Sequence, residues 1–219
     1  MDFKELKERM NKLDAACIFD ANKELRVMDP GIQPVNPGIK MIGIARTVHC
    51  MGDFLTVMKA LYDAKEDEVL VIDAKGGKIA LAGELFTAEA QRKKLAGIVI
   101  DGGCRDVKQI RKTNFPVYAR YITPRAGTSS KIFSTQIKIN CGGVPVSPGD
   151  ILFGDDDGII VMSEAGITEI LDTAEGIQQK EEKVAMKLKD NESLVDMLNF
   201  SDHYEKISKN QESKLIFKV

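Results

Sequence analysis

Residues 97–106 read GIVIDGGCRD, and this stretch decides the fold. Its first four residues are small or aliphatic without interruption, which is typical of a short strand buried on both faces of a parallel sheet. Glycines and charged side chains follow the apolar run directly. Because α/β proteins bind ligands at the carboxyl ends of such strands, the stretch predicts a buried strand and a candidate site where that strand ends.

The sequence on either side alternates between helix and strand patterns. Apolar residues recur at helical spacing in some segments, and continuous β-branched runs form others. The predicted order is a strand over 41–49, a helix over 54–62, a strand over 68–74, a turn at 75–77, a helix over 83–95, a strand over 97–100, a helix over 105–112 and a strand over 116–119. This alternation predicts an α/β core with parallel strands.

The sequence patterns before and after the core predict different secondary structure. Two short helices are expected before the core, within 3–13 and over 14–25, and short strands joined by tight turns are expected from residue 136. Ser163 is the predicted cap of a long helix running to about Lys189. We therefore divide the chain into one domain, 1–190, and a C-terminal helical extension or tail, 191–219.

Composition excludes several classes of protein. The 219 residues carry a net charge of −2 and no long basic run, which argues against direct binding of nucleic acid. No apolar run approaches the roughly 20 residues that span a bilayer, so no membrane association is expected. The four cysteines form no CxxC pair and no zinc-like spacing with the two histidines. Widely spaced cysteines without a signal peptide predict reduced thiols and a cytoplasmic protein.

Glycine and charge meet at two places that a helix and a strand can bring together. Residues 83–86 read GELF, and twenty residues, 85 to 104, separate Glu84 from the pair Arg105 and Asp106. The N–H groups of Leu85 and Phe86 at a helix N-terminus are a natural seat for a carboxylate. Clustered carboxylates suit a hard divalent cation, and an arginine beside them suits a carboxylate substrate. The pattern predicts a metal-assisted enzyme that acts on a 2-oxo acid.

Each half of this pattern also has a structural interpretation. Glu84 is a favourable acid for the first turn of a helix, because it complements the helix dipole. Asp101 is a candidate helix cap, with Arg105 and Asp106 as surface charge. Adjacent glycines beside three charges at the end of a buried strand favour the functional interpretation of the second stretch.

Motifs in a fixed order from about residue 14 to 190 make the chain resemble a known family. It resembles the RraA-like proteins, the family of the regulator of ribonuclease E activity A, which includes the 4-hydroxy-4-methyl-2-oxoglutarate aldolases. The motifs that carry the resemblance are Asp20-Ala21, GIARTV at 43–48, VLVID at 69–73, GEL at 83–85, GIVIDG at 97–102, Arg105-Asp106, FPVYAR at 115–120, Thr123-Pro124, GGVPV at 142–146, PGD at 148–150 and DDDGIIV at 155–161.

The resemblance implies a swivelling β/β/α three-layer domain that is typically a homotrimer with sites at subunit interfaces. It implies that Asp106 holds Mg²⁺ or Mn²⁺ directly and that Glu84, where the aldolases usually carry aspartate, acts through water bound to the ion. Arg105 would bind substrate oxygens. The loop from Gly83 to Phe86 would seat the pyruvyl carboxylate.

The family also uses a glutamate from the C-terminal helix of the neighbouring subunit. Glu181 is the best match in this sequence, and Glu182 is the alternative. The implied activity is a metal-dependent, class II-type aldolase, a lyase that releases pyruvate, with oxaloacetate decarboxylase activity through the same enolate. The rival function is a non-catalytic protein that binds and regulates a ribonuclease.

Overall fold

The structure, a computed structural model, describes residues 2–218 and contains seven helices and eleven strands in that range. The helices are α1 Phe3–Met10, α2 Ala15–Ala21, α3 Leu55–Asp63, α4 Glu84–Arg92, α5 Val107–Ile110, α6 Glu164–Lys189 and α7 Phe200–Ser208. The strands are β1 Arg26–Val27, β2 Gln33–Pro34, β3 Met41–His49, β4 Glu68–Ala82, β5 Gly97–Cys104, β6 Val117–Ile122, β7 Ser134–Thr135, β8 Ile139–Cys141, β9 Val144–Val146, β10 Ile151–Asp155 and β11 Gly158–Met162.

One large sheet organises the molecule. Its strand order is β1-β11-β10-β3-β4-β5-β6-β2, with β7 paired to the end of β3. The four central strands β3, β4, β5 and β6 are mutually parallel. β10 pairs antiparallel with β3, and β11 pairs antiparallel with β10. Parallel neighbours require crossover connections. Here α3 and α4 lie in the connections β3 to β4 and β4 to β5.

The two faces of the sheet bury different partners, because alternate residues of a strand point to opposite faces. Along β3, Ile42 packs with α1, α2 and α6, and Val48 packs with α3 and α4 on that same face. Ala45 packs on the other face against the β8–β9 hairpin. The result is the three-layer β/β/α arrangement, with a helical N-terminus and a long C-terminal helix, that the resemblance implies.

Much of the predicted secondary structure is confirmed. The strands over 41–49 and 158–162 have the predicted bounds. Ser163 caps α6, because its hydroxyl accepts a hydrogen bond from the Gly166 amide, and α6 ends at Lys189. A further helix, α7, follows in the tail, and no residue of it is buried. The division into 1–190 and 191–219 stays a prediction.

Several predicted bounds are wrong near the site. The turn at 75–77 does not end β4, which continues to Ala82 through irregular pairing with β5. The strand predicted over 97–100 continues to Cys104. The helix predicted over 105–112 is only the four-residue α5, Val107–Ile110. Nearer the N-terminus, the helix predicted over 14–25 ends at Ala21.

The close approach of β4 to β5 explains the two extensions. A Cβ on Gly103 would lie 2.7 Å from the carbonyl oxygen of Ile79, and one on Gly102 would lie 2.7 Å from Cβ of Ala74. Glycine at both positions therefore lets β4 stay paired where a side chain would push it away. These glycines serve strand packing rather than the approach of a ligand.

None of the helices within residues 2–218 combines the length and the apolar character needed to cross a bilayer.

Candidate functional site

A small pocket lies where β4 ends and α4 begins. Its cavity has a volume of about 50 Å³, and it is lined by Phe54, Ala80, Leu81, Ala82, Gly83, Leu85, Phe86, Arg105, Asp106 and Ala126. Ala82 of β4 pairs with Cys104 of β5, so the residues that follow these strands emerge side by side. The pocket therefore joins the two predicted halves of the site, residues 83–86 and 105–106.

Asp106 is held at the mouth of the pocket by unusual backbone geometry. Its φ of 59° lies in the left-handed region, and it is the residue immediately before α5. The carboxylate turns back toward α4, where its Oδ2 accepts a hydrogen bond from the Glu84 amide at 3.4 Å. The Asp106 side chain is 40% exposed, so this carboxylate remains open to ligands.

Gly83 leaves the space that the Asp106 carboxylate occupies. A Cβ at Gly83 would lie 2.5 Å from Oδ2 of Asp106 and 2.9 Å from Cγ of Arg105. A residue with any side chain would displace both groups. Glycine before α4 is thus required by close approach of two charged side chains.

Arg105 adds the positive charge of the pocket. Its Nε lies 3.3 Å from Oδ2 of Asp106, and its side chain is 45% exposed. Its amide donates to the carbonyl oxygen of Ala82 at 3.2 Å, which fixes the backbone beside the pocket. The guanidinium has further N–H groups with which to bind an anionic ligand.

The N-terminus of α4 offers free donors to the same pocket. The first intrahelical hydrogen bond runs from the Thr87 amide to the carbonyl oxygen of Gly83 at 3.0 Å. Glu84 donates to Asp106, which leaves the amides of Leu85 and Phe86 without a protein partner among residues 2–218. The Glu84 side chain is exposed and does not line the pocket. Its amide, rather than its carboxylate, contacts Asp106.

The donor set fits a magnesium-like ion better than a transition metal. No group of three or more His, Cys, Asp or Glu side chains able to hold a metal occurs within residues 2–218. Mg²⁺ needs no such group, because it keeps several waters and binds through one or two carboxylates together with its substrate. The Asp106 carboxylate, with Oδ1 free of protein partners in the described chain, is a suitable ligand of this kind.

Cys104 lies directly before Arg105 but is not available as a nucleophile. Its side chain is buried, and burial raises the pKa of its thiol to about 12. The thiol stays protonated at neutral pH, and a protonated thiol is a poor nucleophile.

Asp101 has a structural role. Its Oδ1 accepts from Nε of Arg120 at 2.5 Å, and its Oδ2 accepts from the Gly142 amide at 2.7 Å. The side chain is buried, lies inside β5 and caps no helix. Asp101 therefore ties β5 to β6 and to the β8–β9 turn.

Glu181 lies outside this pocket in its own chain. It is exposed on α6, and its Oε2 accepts from Sγ of Cys17 at 3.3 Å. It lines a second pocket together with Asp14, Lys40 and the acidic turn 155–157. Glu182 is exposed beside it. The contribution of either residue to a neighbouring subunit stays a prediction.

Sequence reasoning missed the apolar wall of the pocket. Phe54 and Ala126 are distant from residues 83–106 in the chain and reach the pocket only through the fold. The ring of Phe54 meets the ring of Phe86 edge to face, with centroids 5.9 Å apart. The sequence signal was slight, an aromatic residue directly after Gly52 and Asp53.

Comparison with known proteins gives a consistent result. The family model RraA-like, described as Aldolase/RraA, matches residues 14–161. The chain is 36% identical over 181 residues to a protein of Halalkalibacterium halodurans named "Putative 4-hydroxy-4-methyl-2-oxoglutarate aldolase", covering 82% of this chain and 86% of that one.

Two solved structures resemble the fold. RraAS2 of Streptomyces coelicolor, a member of the RNase ES inhibitor RraA protein family, is 28% identical with a TM-score of 0.72, covering 84% of this chain and 98% of that one. The RNA-processing inhibitor RraA of Thermus thermophilus is 25% identical with a TM-score of 0.65, covering 69% and 93%.

Proposed function

Because this chain belongs to the RraA-like (Aldolase/RraA) family, we propose that it is a divalent-metal-dependent lyase. It cleaves 4-hydroxy-2-oxo acids such as 4-hydroxy-4-methyl-2-oxoglutarate and releases pyruvate. The observation that carries the proposal is the convergence of Arg105, Asp106 and the free amides of Leu85 and Phe86 in one pocket. These groups match the carboxylate and carbonyl oxygens of a 2-oxo acid.

Asp106 would hold the cation, which supplies Lewis-acid polarisation of the substrate's C2 carbonyl when it is bound. The amides of Leu85 and Phe86 seat the substrate carboxylate at the N-terminus of α4. The Arg105 guanidinium donates to the carbonyl oxygen and offsets the negative charge that develops on it. Such preorganised donors act on the transition state more than on the bound substrate.

The bond changes follow from this placement. The C4 hydroxyl loses its proton, the C3–C4 bond breaks, and its electron pair moves into the enolate of pyruvate. C4 becomes a carbonyl in the departing product, and a proton then returns to C3. Glu84, exposed next to the pocket, takes part through water, and Glu181 of a neighbouring subunit completes the proton transfer. Decarboxylation of oxaloacetate gives the same enolate and is expected as a second activity.

Two features support a site shared between subunits of a homotrimer. Leu85 lines the pocket and is 75% exposed, an unusual state for a leucine beside a binding site. The cavity of about 50 Å³ is too small to enclose a substrate with several carboxylates, so other walls are needed. A cytoplasmic location fits the four free, buried cysteines.

A regulator of a ribonuclease is the second candidate. Its support is the likeness to the RNA-processing inhibitor RraA and to the RraAS2 protein. A purely regulatory protein would not need the Arg105, Asp106 and α4 arrangement, and this favours the enzyme.

The deciding experiment measures pyruvate release from oxaloacetate and from 4-hydroxy-4-methyl-2-oxoglutarate, with Mg²⁺ or Mn²⁺ and again with EDTA. Release that EDTA abolishes and added metal restores is expected. Folded protein that releases no pyruvate from either substrate with metal present would contradict the proposal and favour the regulator.

A further inference from the structure

The Asp53 carboxylate is fully buried beside the pocket. It forms no ion pair in the part of the chain that the structure describes. Four donors surround it instead: the amides of Leu55 at 2.9 Å, Ser130 at 2.7 Å and Lys131 at 3.0 Å, and the hydroxyl of Thr128 at 2.6 Å. A buried charge is tolerated only when it is satisfied in this way. Asp53 therefore ties the start of α3 to residues 128–131.

The residues that Asp53 holds, 128–131, follow closely after Ala126, which lines the pocket. The Ala80 amide donates to the carbonyl oxygen of Arg125 at 2.7 Å, and the Gly127 amide donates to the carbonyl oxygen of Ala80 at 3.0 Å. These bonds lay Ala126 alongside β4, where it lines the pocket together with Ala80. The Thr128 amide also donates to the carbonyl oxygen of Gly52 at 3.0 Å, while most residues from 124 to 132 are exposed, so the segment is held by these backbone bonds and by Asp53.

Phe54 links this wall to the donors that would seat the substrate. Its amide donates to the carbonyl oxygen of Thr128 at 2.8 Å, so its backbone follows the position of the wall. Its ring meets Phe86 edge to face, with an angle of 83° between the ring planes. Phe86 in turn carries one of the two free amides at the N-terminus of α4. A shift of residues 128–131 would therefore move a binding group without touching the ligand.

We propose that Asp53 is a positioning residue that fixes the pocket wall at residues 124–131 and, through Phe54 and Phe86, the carboxylate seat at the start of α4. The proposal depends on the proposed function in one respect, the chemical class of the ligand that binds at the start of α4. Asp53 touches no substrate, and it acts on binding more than on the chemical step. Loss of its hydrogen bonds is therefore expected to raise KM while kcat changes little.

The test uses the full-length protein and a matched set of variants. Thr128→Val removes one hydroxyl donor with little change of volume, Thr128→Ser keeps the donor, and Asp53→Asn changes the acceptor itself. Thr168→Val is the control, because Thr168 makes a comparable hydroxyl bond to the carbonyl oxygen of Glu164 on the exposed face of α6, far from the wall in sequence. Three quantities are measured: kcat and KM for oxaloacetate, the Kd of oxalate with Mg²⁺ by calorimetry, and amide hydrogen exchange.

Thr128→Val is expected to raise both KM and the Kd of oxalate by roughly tenfold, the usual scale for losing a hydrogen bond to a charged group. Its kcat should stay within about twofold, and Thr128→Ser should restore KM. Hydrogen exchange should quicken at Ser130 and Lys131 and also at Thr87, whose amide makes the first hydrogen bond of α4. Asp53→Asn should show the same pattern more strongly.

Faster exchange at residues 130–131 with unchanged exchange at Thr87 and unchanged oxalate affinity would overturn the proposal, since Asp53 would then only anchor its loop. If the wild-type protein neither binds oxalate nor releases pyruvate, the proposed function fails. The exchange at Thr87 then still decides whether Asp53 is coupled to α4. If Asp53→Asn does not fold, Thr128→Val carries the test alone.

Discussion

Gly83 and Asp106 lie against one another where β4 and β5 end beside the pocket. A Cβ on Gly83 would be 2.5 Å from Oδ2 of Asp106, which is inside any normal contact distance. Cγ of Arg105 would lie 2.9 Å away, and both atoms belong to flexible side chains that can move aside. A larger residue at Gly83 would therefore cost the fold little but would displace the group that we expect to hold the cation.

Replacement of Gly83 by alanine is predicted to lower activity strongly while changing stability little. Gly83→Ala should lower kcat/KM for oxaloacetate by roughly a hundredfold, the usual cost of misplacing a functional group by about 1 Å. The affinity for Mn²⁺ should fall in parallel, because Asp106 no longer points into the pocket. Steady-state kinetics and a Mn²⁺ titration followed by electron paramagnetic resonance measure the two effects.

Gly176→Ala is the matched control. Gly176 lies within α6, and a Cβ there meets no atom within 4 Å. This variant should keep full activity and gain slightly in stability, since alanine favours a helix over glycine by about 1 kcal/mol. Wild-type kinetics in Gly83→Ala would contradict the assignment of Asp106.

Arg105 is predicted to act through the geometry of its guanidinium as well as its charge. Arg105→Lys should lower kcat by roughly 10²- to 10³-fold, because an ammonium group cannot reproduce the paired N–H donors at the developing oxyanion. The midpoint of thermal unfolding of Arg105→Lys should stay near that of the wild type. The side chains of the ion pair between Arg105 and Asp106 are about half exposed, and such pairs add little stability. Arg105→Ala should abolish turnover.

Arg92→Lys is the comparison on α4, where Arg92 pairs with Glu89 on the exposed surface. It should leave kcat and KM unchanged. A kcat for Arg105→Lys within threefold of the Arg92→Lys value would rule out transition-state stabilisation by Arg105.

The sequence predicted the core well where local signals and tertiary structure agree. The segments over 41–49 and 158–162 are apolar and β-branched, and they form strands with the predicted bounds. Residues 75–77 show the opposite case. Lys75 and Gly76 have left-handed φ values of 53° and 68°, as in a turn, yet the chain returns to β4. Pairing with a glycine-bearing β5 decides this outcome, and local turn chemistry does not reveal it.

In the site, too, some features follow from local sequence signals and others only from tertiary contacts. Glycine beside charge identified residues 83–86 and 105–106, because both stretches follow strands and such ends meet at one edge of a parallel sheet. Asp101 was weighed with them, but it lies inside the strand and binds Arg120. Whether the strand ends before or after Asp101 depends on the neighbouring β4. The wall formed by Phe54 and Ala126 depends on contacts between distant segments, which periodicity does not encode.

The acid stability of the protein should depend on Asp53. Burial alone would raise the pKa of this carboxyl, but its hydrogen bonds from Thr128, Leu55, Ser130 and Lys131 outweigh burial and lower the pKa from 3.8 to about 2. A group with a depressed native pKa stabilises the fold above its unfolded pKa and loses that contribution as the pH falls. The contribution of Asp53 should therefore be complete above about pH 4 and decline toward pH 2.

Urea unfolding of the wild type and Asp53→Asn between pH 7 and pH 2 measures this contribution. The wild type should be the more stable protein at neutral pH, and the difference in unfolding free energy should shrink below about pH 4. Other carboxyls with lowered pKa values, among them Asp29 and Glu175, are present in both proteins and cancel in the difference. A difference that is the same at pH 2.5 and at pH 6 would show that charge on Asp53 does not matter.

Glu181 offers the sharpest test of a site shared between subunits. Asp106→Asn and Glu181→Gln chains should each be nearly inactive, since each lacks one group at every site of its own assembly. When the two chains are mixed at equal amounts and reassembled, a site is intact only if the Glu181→Gln chain supplies Asp106 and the Asp106→Asn chain supplies Glu181. Random assembly makes about one site in four intact, so activity should recover to about a quarter of the wild-type value.

The size of the recovery distinguishes the possible arrangements. If Glu181 serves its own chain, every site in the mixture carries one defect and no activity returns. If Glu181→Gln alone is fully active, Glu182→Gln should be the inactive partner in the same experiment, because both glutamates are exposed next to each other on α6. Full activity of both single glutamate variants would instead place the missing proton-transfer group elsewhere and leave Glu84 as the remaining acidic candidate.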